Sequence, residues 1–329
     1  MRIALDAMGS DRAPAIEVEG AVGALLSLGG DFKLVLVGDT PVIEAELARF
    51  PDAPRDRIEI VHAPQRIEMG ESPAQAIRRK PDSSIVVGLT LHKQGEVDAF
   101  ISAGSTGAVM AGSLVLLRPL PGVDRPPVGT VLPRRNGRFL LLDAGANVDT
   151  RPHQLVQFAH LGTIYARNLM GIEEPRVGLL NIGEEPEKGD ERALETHRLL
   201  AASTSLRFVG NIEGRDLIED HCDVVVCDGF VGNVLLKFYE SVAPFIIGLF
   251  RHEIEAAKAK VDISRIIQVL DYTEYGGAPL LGVNGVTIIC HGGSPPQAVR
   301  NAIRVAVQAV ESHMVADIET RLAALQPNP

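Results

Sequence analysis

Cysteine is scarce and tryptophan absent in these 329 residues. The three cysteines, Cys222, Cys227 and Cys290, are odd in number, sit inside apolar runs and form no CxxC pair. That argues against a disulfide framework, and they are expected as reduced core residues. Histidines do not cluster either, so no metal site is expected. Basic charge is in deficit: 32 Lys plus Arg face 42 Asp plus Glu, a formal net charge of -10. Nucleic-acid binding needs a clustered basic face, and attachment to an anionic bilayer needs the same sign, so both are disfavoured. No apolar run approaches the ~18 to 20 residues of a membrane span. The N-terminus, MRIALDAMGSD, lacks the basic region, apolar stretch and cleavage site of a secretory signal and reads as a first strand. A cytosolic protein is expected. The usual catalytic fingerprints are missing too. GxxxxGK[ST], a GxGxxG after the first strand, GxSxG and HExxH are all absent, against P-loop, ordinary dinucleotide, esterase and zinc-peptidase chemistry.

What is present is a globular α/β pattern. At 46% hydrophobic and 22% charged, the chain can bury a sizeable core. Length alone suggests about two domains at ~150 residues each, but a single large α/β domain fits equally. With no repeat and no convincing linker, the chain is read as one domain over 1–329. Strands are expected at Arg2–Ala7, Lys33–Gly38, Ile58–Ala63, Ala99–Ala103, Phe139–Ala144, Val177–Ile182, Leu206–Ile212, Asp223–Cys227 and Val286–His291. Several are apolar at consecutive positions (LVLV, FLLLD, DVVVCD), the mark of strands buried on both faces of a largely parallel sheet. Helices are expected at Ala13–Leu28, Pro41–Arg49, Ser105–Leu117, Pro152–Met170, Gly189–Ala201, Asn233–Lys260 and Pro295–Leu325. Ser72-Pro73 and Ser294-Pro295 read as helix starts. Pro119–Arg138, rich in proline and arginine, gives the strongest loop signal. Pro244–Tyr275 stands apart: Phe250, Ile254, Ala257 and Val261 share one helical face, followed by a further apolar run. It reads as a helical protrusion, either a core or dimer helix pair or an apolar tip that touches a bilayer or a partner.

In open parallel sheets ligands bind beyond the carboxyl ends of the strands. Here those ends are small, polar and Gly-rich: AMGSD (Ala7–Asp11), SAGSTGA (Ser102–Ala108), LLDAGAN (Leu141–Asn147), LLNIGEEPEKGDE (Leu179–Glu191), VVCDGFVGN (Val225–Asn233) and ICHGGS (Ile289–Ser294). Glycine admits close backbone approach, and N–H groups at a helix start attract anions, so a small anion or phosphate site is expected. Ser105 and Thr106 follow Gly104 and precede Gly107 at one such start, able to cap the helix or to bind an oxyanion. Lys188, in an acidic loop, is either a solvated ion-pair member or a cation held beside phosphate. Asn147 and Asn233 are turn formers or carbonyl donors. Asp143 and Asp228 end apolar strands, as helix caps or as working carboxylates. His291 ends the last strand, as a core histidine or a titrating group.

Read in order, DAMGSDRAP, DSSIVVGL, ISAGSTGAVMA, LLDAGANVD, VGLLNIGEEPEKGDE, VGNIEGRD, VVVCDGFVGNVLLK and YGGAPLLGVNG resemble the bacterial phosphate acyltransferases of phospholipid synthesis, the PlsX family. The match runs over essentially the whole chain. Ser10 and Ser105 stand where that family more often has Gly and Asn. The resemblance implies a three-layer α/β/α sandwich similar to phosphotransacetylases and isocitrate-dehydrogenase-like enzymes, usually a homodimer. It implies transfer of a long-chain acyl group from acyl carrier protein to inorganic phosphate without a cofactor. The acyl phosphate formed would be used by a membrane glycerol-3-phosphate acyltransferase, with the enzyme held peripherally at the cytoplasmic face of the membrane. Lys188, Asn233 and Asp228 are then the expected catalytic set, and Gly104, Ser105, Thr106, Gly107, Asn147, Asp6 and His291 the expected phosphate and substrate contacts. Arg78-Arg79-Lys80 and Arg118, Arg125, Arg134, Arg135 and Arg138 are either docking cations for an acidic carrier protein or parts of a solvated face. Open alternatives are a phosphotransacetylase with an acyl-coenzyme A donor, an oxidoreductase on the related fold, and a membrane scaffold without catalysis.

Overall fold

In the computed structural model, which describes residues 1–256 and 276–325, the chain divides into two compact units. The first comprises the described residues of Met1–Pro126, Arg167–Gly171 and Tyr275–Pro329, the second those of Pro127–Ala166 and Ile172–Glu274. Each has its own sheet, where a single sheet was expected.

The first unit opens with β1 (Arg2–Asp6), α1 (Ala15–Ser27), β2 (Lys33–Gly38), α2 (Thr40–Leu47) and β3 (Ile58–His62). It continues with α3 (Pro73–Arg79), α4 (Ser84–Lys93), β4 (Ala99–Ser102) and α5 (Thr106–Leu116). After the second unit the chain returns as β10 (Ala278–Pro279), β11 (Val286–Ile289), α9 (Pro296–Glu311) and α10 (Met314–Leu325). The strand order is β10-β11-β4-β1-β2-β3, parallel except for β10. Leu34, Val35, Leu36 and Val37 of β2 are wholly buried, as consecutive apolar residues in a parallel strand require. The expected helix Pro295–Leu325 is two helices, separated at Ser312 and His313, the latter in the left-handed region at φ 52°.

The second unit contains β5 (Gly129–Arg134), β6 (Gly137–Leu142), α6 (Pro152–Met170) as far as Ala166, β7 (Arg176–Leu180), α7 (Glu191–Ala202), β8 (Arg207–Ile212), β9 (Val224–Val226) and α8 (Gly229–Ala256). Its order is β5-β6-β9-β7-β8, parallel except for β5. Leu132, Phe139, Leu141, Ile212, Leu217, Val225, Cys222 and Cys227 form a core cluster, with Leu235, Leu236 and Tyr239 of α8 packed on it. All three cysteines are free and buried.

Two expectations fail here. Pro119–Arg138 is not one loop: β5 and β6 form an antiparallel hairpin with Arg134 paired to Gly137. Proline is tolerated in β5 because an edge strand has an unpaired side. Second, an apolar stretch long enough to cross a membrane by length and composition does exist. Gly229–Phe250 has 22 residues and mean hydropathy 1.4, and only 11% of its window is buried. The expected protrusion over 244–275 is helical as far as Ala256, and its remainder lies outside the described residues.

Candidate active site

Residues singled out from the sequence fall into two clusters, one in each unit. In the first unit, Asp6 closes β1 wholly buried. Its Oδ1 accepts the Met8 N–H at 3.0 Å and its Oδ2 the Ser102 hydroxyl at 2.7 Å. The Ser102 hydroxyl in turn accepts the Gly104 N–H at 3.0 Å. Burial pushes the Asp6 carboxyl up, against hydrogen bonds from Ser84, Ser102 and Met8. Asp6 therefore ties the carboxyl ends of β1 and β4 together, leaving its own oxygens engaged. Glycine is required where these loops meet: a Cβ on Gly9 would lie 2.6 Å from the Gly104 nitrogen.

The α5 start is only partly capped. The Ser105 hydroxyl accepts the Ala108 N–H at 3.4 Å, and the Ser105 carbonyl accepts that of Val109 at 2.9 Å. A helix begins with four N–H groups lacking intrahelical partners. Those of Thr106 and Gly107 therefore stay open among the described residues, beside the exposed Thr106 side chain. Gly107 also faces Pro73, 2.7 Å from where its Cβ would lie, so it packs α5 on α3 as well. His291 is exposed rather than core, and its Nδ1 accepts the Gly293 N–H at 3.1 Å.

In the second unit Asp143 and Asp228 organise the loops. Asp143, buried after β6, accepts N–H groups of Val128, Ala146 and Asn147 at 3.0, 3.0 and 2.6 Å, and the Asn147 carboxamide at 2.9 Å. Burial raises its pKa, against those bonds. Asn147 is thus tied to Asp143, and its carbonyl accepts the Gly229 N–H at 2.8 Å. Asp228 is also buried. Its Oδ1 caps α8 through the N–H groups of Phe230 and Val231 at 2.9 and 3.0 Å, while Oδ2 pairs with Arg192 at 2.9 Å. Capping satisfies α8's first N–H groups, and Asp190 with Glu191 places carboxylates at the start of α7. Neither start suits an anion as α5's does.

Lys188 and Asn233 differ from these tied groups. The Lys188 side chain is exposed, and among the described residues no carboxylate lies within ion-pair distance of its ammonium, despite Glu184, Glu185 and Glu187 nearby in sequence. Its backbone is fixed, the carbonyl accepting the Asn181 amide at 3.0 Å. Asn233, the fifth residue of α8, has a side chain with no hydrogen bond among the described residues, its Oδ1 lying 3.3 Å from where a Gly145 Cβ would be. Both are free donors. Arg192 and Asn181, not singled out from the sequence, line a cavity of about 360 Å³ with Asp228, Leu155, Leu179 and Val231. No local spacing marks Arg192, because its partner Asp228 is distant in sequence. Among the described residues no group of three or more His, Cys, Asp or Glu is placed to hold a metal ion.

Several candidate docking cations are consumed internally. Arg134, with its side chain 7% exposed, pairs with Asp223 at 2.9 Å and Asp220 at 3.0 Å. Lys80 pairs with Glu71 at 2.5 Å and Arg135 with Glu219 at 2.9 Å. Arg78, Arg79 and Arg118 remain exposed.

Residues 1–317 match the family described as Fatty acid synthesis protein. A protein named phosphate acyltransferase from Desulforamulus reducens is 49% identical, covering 98% of this chain and 97% of its own length. The phosphate acyltransferase of Heliobacterium modesticaldum is 48% identical, covering 98% of each. Among solved structures, a phosphotransacetylase from Streptococcus pyogenes superposes with a TM-score of 0.64 at 18% identity, covering 94% of each chain. The EutD phosphotransacetylase from Staphylococcus aureus gives 0.61 at 16%, covering 95% and 94%. These likenesses agree on an α/β/α fold, and the sequence matches go further: the chain belongs to the PlsX family of phosphate acyltransferases and is an acyltransferase.

Proposed function

We propose that this acyltransferase moves a long-chain fatty acyl group from acyl carrier protein to inorganic phosphate, supplying acyl phosphate for phospholipid synthesis. The observation that carries the reading is the α5 start, where SAGSTGA leaves the Thr106 and Gly107 N–H groups open for an anion. Phosphate is already a charged nucleophile at neutral pH, so no enzyme-bound intermediate is needed. The cysteines suit no such role: burial holds the Cys222 and Cys290 thiols up at about 12 and raises Cys227 as well. A phosphate oxygen attacks the thioester carbonyl, a C–O bond forms, the C–S bond breaks, and the departing thiolate takes a proton from solvent. Positioning and fixed donors to the developing oxyanion are what the protein must supply. Lys188, an unpaired cation, is assigned to phosphate, and Asn233, an unpaired amide, to the carbonyl oxygen. Asp143 and Asp228 hold the loops that present these two.

Acyl carrier protein is acidic, and Arg78, Arg79 and Arg118 are the exposed cations proposed to meet it. The same reading includes a homodimer, residence in the cytoplasm with peripheral attachment to the membrane, and a membrane glycerol-3-phosphate acyltransferase as user of the product. The test is incubation with palmitoyl-acyl carrier protein and phosphate, trapping acyl phosphate with hydroxylamine, with palmitoyl-coenzyme A as a parallel donor. Phosphate-dependent hydroxamate from the carrier-protein donor is expected. Asn233→Ala should lower turnover roughly 10²–10³-fold, the usual cost of one oxyanion donor, and Lys188→Ala should lower the rate at subsaturating phosphate through a raised phosphate KM. Product from coenzyme A alone would replace this reading with phosphotransacetylase activity. Near-wild-type rates in both variants would remove Lys188 and Asn233 from the mechanism.

A further inference from the structure

The loop between β1 and α1, Ala7–Asp11, is held by a contact that acyl transfer itself does not use. Glu17, in the first turn of α1, is 0% exposed. Its Oε1 accepts the Ser10 N–H at 2.7 Å. Its Oε2 and the Ser10 hydroxyl are both buried without a hydrogen-bond partner. No cation pairs with Glu17 among the described residues. The titratable groups that act on it are Asp6 from β1 and Cys290 after β11, while Arg66 donates from Nη2 to the Ser10 carbonyl at 3.0 Å and acts on Asp6. Asp6 opposes ionisation of Glu17, and Glu17 in turn helps to raise the Cys290 thiol. A buried carboxylate with one oxygen unserved is costly to charge. Burial first, then the Asp6 charge, pushes the Glu17 carboxyl up to about 7, against the Ser10 N–H.

This loop backs directly onto the α5 start, since a Gly9 Cβ would meet the Gly104 nitrogen at 2.6 Å. We propose that Glu17 is a positioning residue which, through Ser10, seats the β1–α1 loop behind Gly104, and that its ionisation weakens phosphate binding at the α5 start. The inference rests on phosphate being the ligand of that loop. In the protonated form the unpartnered Oε2 carries no charge and costs less to bury, while Oε1 still accepts the Ser10 N–H. In the ionised form a second negative charge joins Asp6 beneath the loop. A negative charge added beneath the loop opposes an anion bound at the α5 start, and at an effective dielectric of ~20 this repulsion is expected to change the affinity about fivefold.

The experiment measures the phosphate KM of wild type and Glu17→Gln at pH 6 and pH 8 with one acyl thioester. Phosphate's own ionisation acts on both proteins alike and cancels in their ratio. The wild-type to Glu17→Gln ratio of KM is expected to rise about fivefold from pH 6 to pH 8, with the kcat ratio moving less. A ratio constant across that range, with wild type active, overturns the role of Glu17. Absence of phosphate-dependent product from wild type would instead strike at the acyl-transfer reading itself. A second measurement does not depend on the variant folding: ¹³C titration of the Glu17 carboxyl in wild-type protein, with and without inorganic phosphate. By reciprocity, bound phosphate must raise the midpoint. An unshifted midpoint at saturating phosphate overturns the proposal.

Discussion

Burial without a partner charge sets Glu17 apart from the acidic side chains that form ion pairs, and it gives the fold a pH dependence with a defined sign. Its carboxyl lies at about 7 in the folded protein against an ordinary 4.5. Between those values the folded chain holds a proton at this position that the unfolded chain has released. Stability therefore falls as pH rises from about 4.5 to 7, by up to about 3 kcal/mol at ~1.4 kcal/mol per pH unit. Glu17→Gln keeps the acceptor for the Ser10 N–H but cannot ionise. In urea unfolding at pH 5 and pH 8, wild type should lose about 2–3 kcal/mol relative to Glu17→Gln on going to the higher pH. Asp143, whose carboxyl is also raised, is present in both proteins and drops out of the comparison, while Asp6, coupled to Glu17, ionises more readily beside the neutral glutamine and adds to the difference with the same sign. Equal pH slopes for the two proteins would mean that Glu17 is already ionised in the fold.

At the scale of elements, α8 shows how a glycine's meaning depends on what lies against it. A Cβ at Gly232 would sit 1.9 Å from the Asp143 carbonyl oxygen, whereas one at Gly248 would meet nothing within 4 Å. Gly232→Ala is expected to lower stability by about 1–3 kcal/mol or more through forced backbone movement. Gly248→Ala on the same helix should raise it by about 0.5–1 kcal/mol through helix propensity alone. Thermal melts of the two variants should move in opposite directions. The same contrast explains what the chain's residues revealed beforehand. Several strands were legible because consecutive buried positions leave unbroken apolar runs, as in LVLV and FLLLD. SIVVGLTLHK was not legible as α4: its β-branched residues favour a strand, and the helix is secured by the Ser83 cap and by Gly88 packing on the Phe100 ring. The α8 start was placed at Asn233 instead of Gly229, because DGFVG reads as a turn until Asp228 is seen to cap it. Of the candidate site, the α5 start was visible as Gly, Ser and Thr after a strand. Glu17 was not, since its burial depends on partners distant in sequence.

Over the whole molecule, two sheets replace the one expected, for a reason that pattern reading cannot reach: parallel strands in separate sheets share one buried signature. The larger consequence lies on the surface. The described part of α8 leaves Phe230, Val234, Phe238, Phe245 and Leu249 between 51% and 66% exposed. Spacings of four, four, seven and four residues put them on one stripe of the helix. A soluble chain rarely presents so continuous an apolar stripe to water, and its usual explanation is a covering surface. The net charge of -10 on each chain opposes an anionic bilayer and a second copy alike, so the apolar area buried decides, and the proposed homodimer meets this stripe with the same stripe of its partner. The purified protein should therefore elute and scatter as twice the 35.2 kDa of one chain. Phe238→Asp and Phe245→Asp together should shift it towards monomer, with the circular dichroism of the fold retained because neither ring belongs to the core. A wild-type protein that scatters as a monomer at micromolar concentration would refute the dimer. The stripe would then be left to a bilayer, and sedimentation with neutral phosphatidylcholine vesicles, insensitive to salt and lost in the same double variant, is the result that would follow.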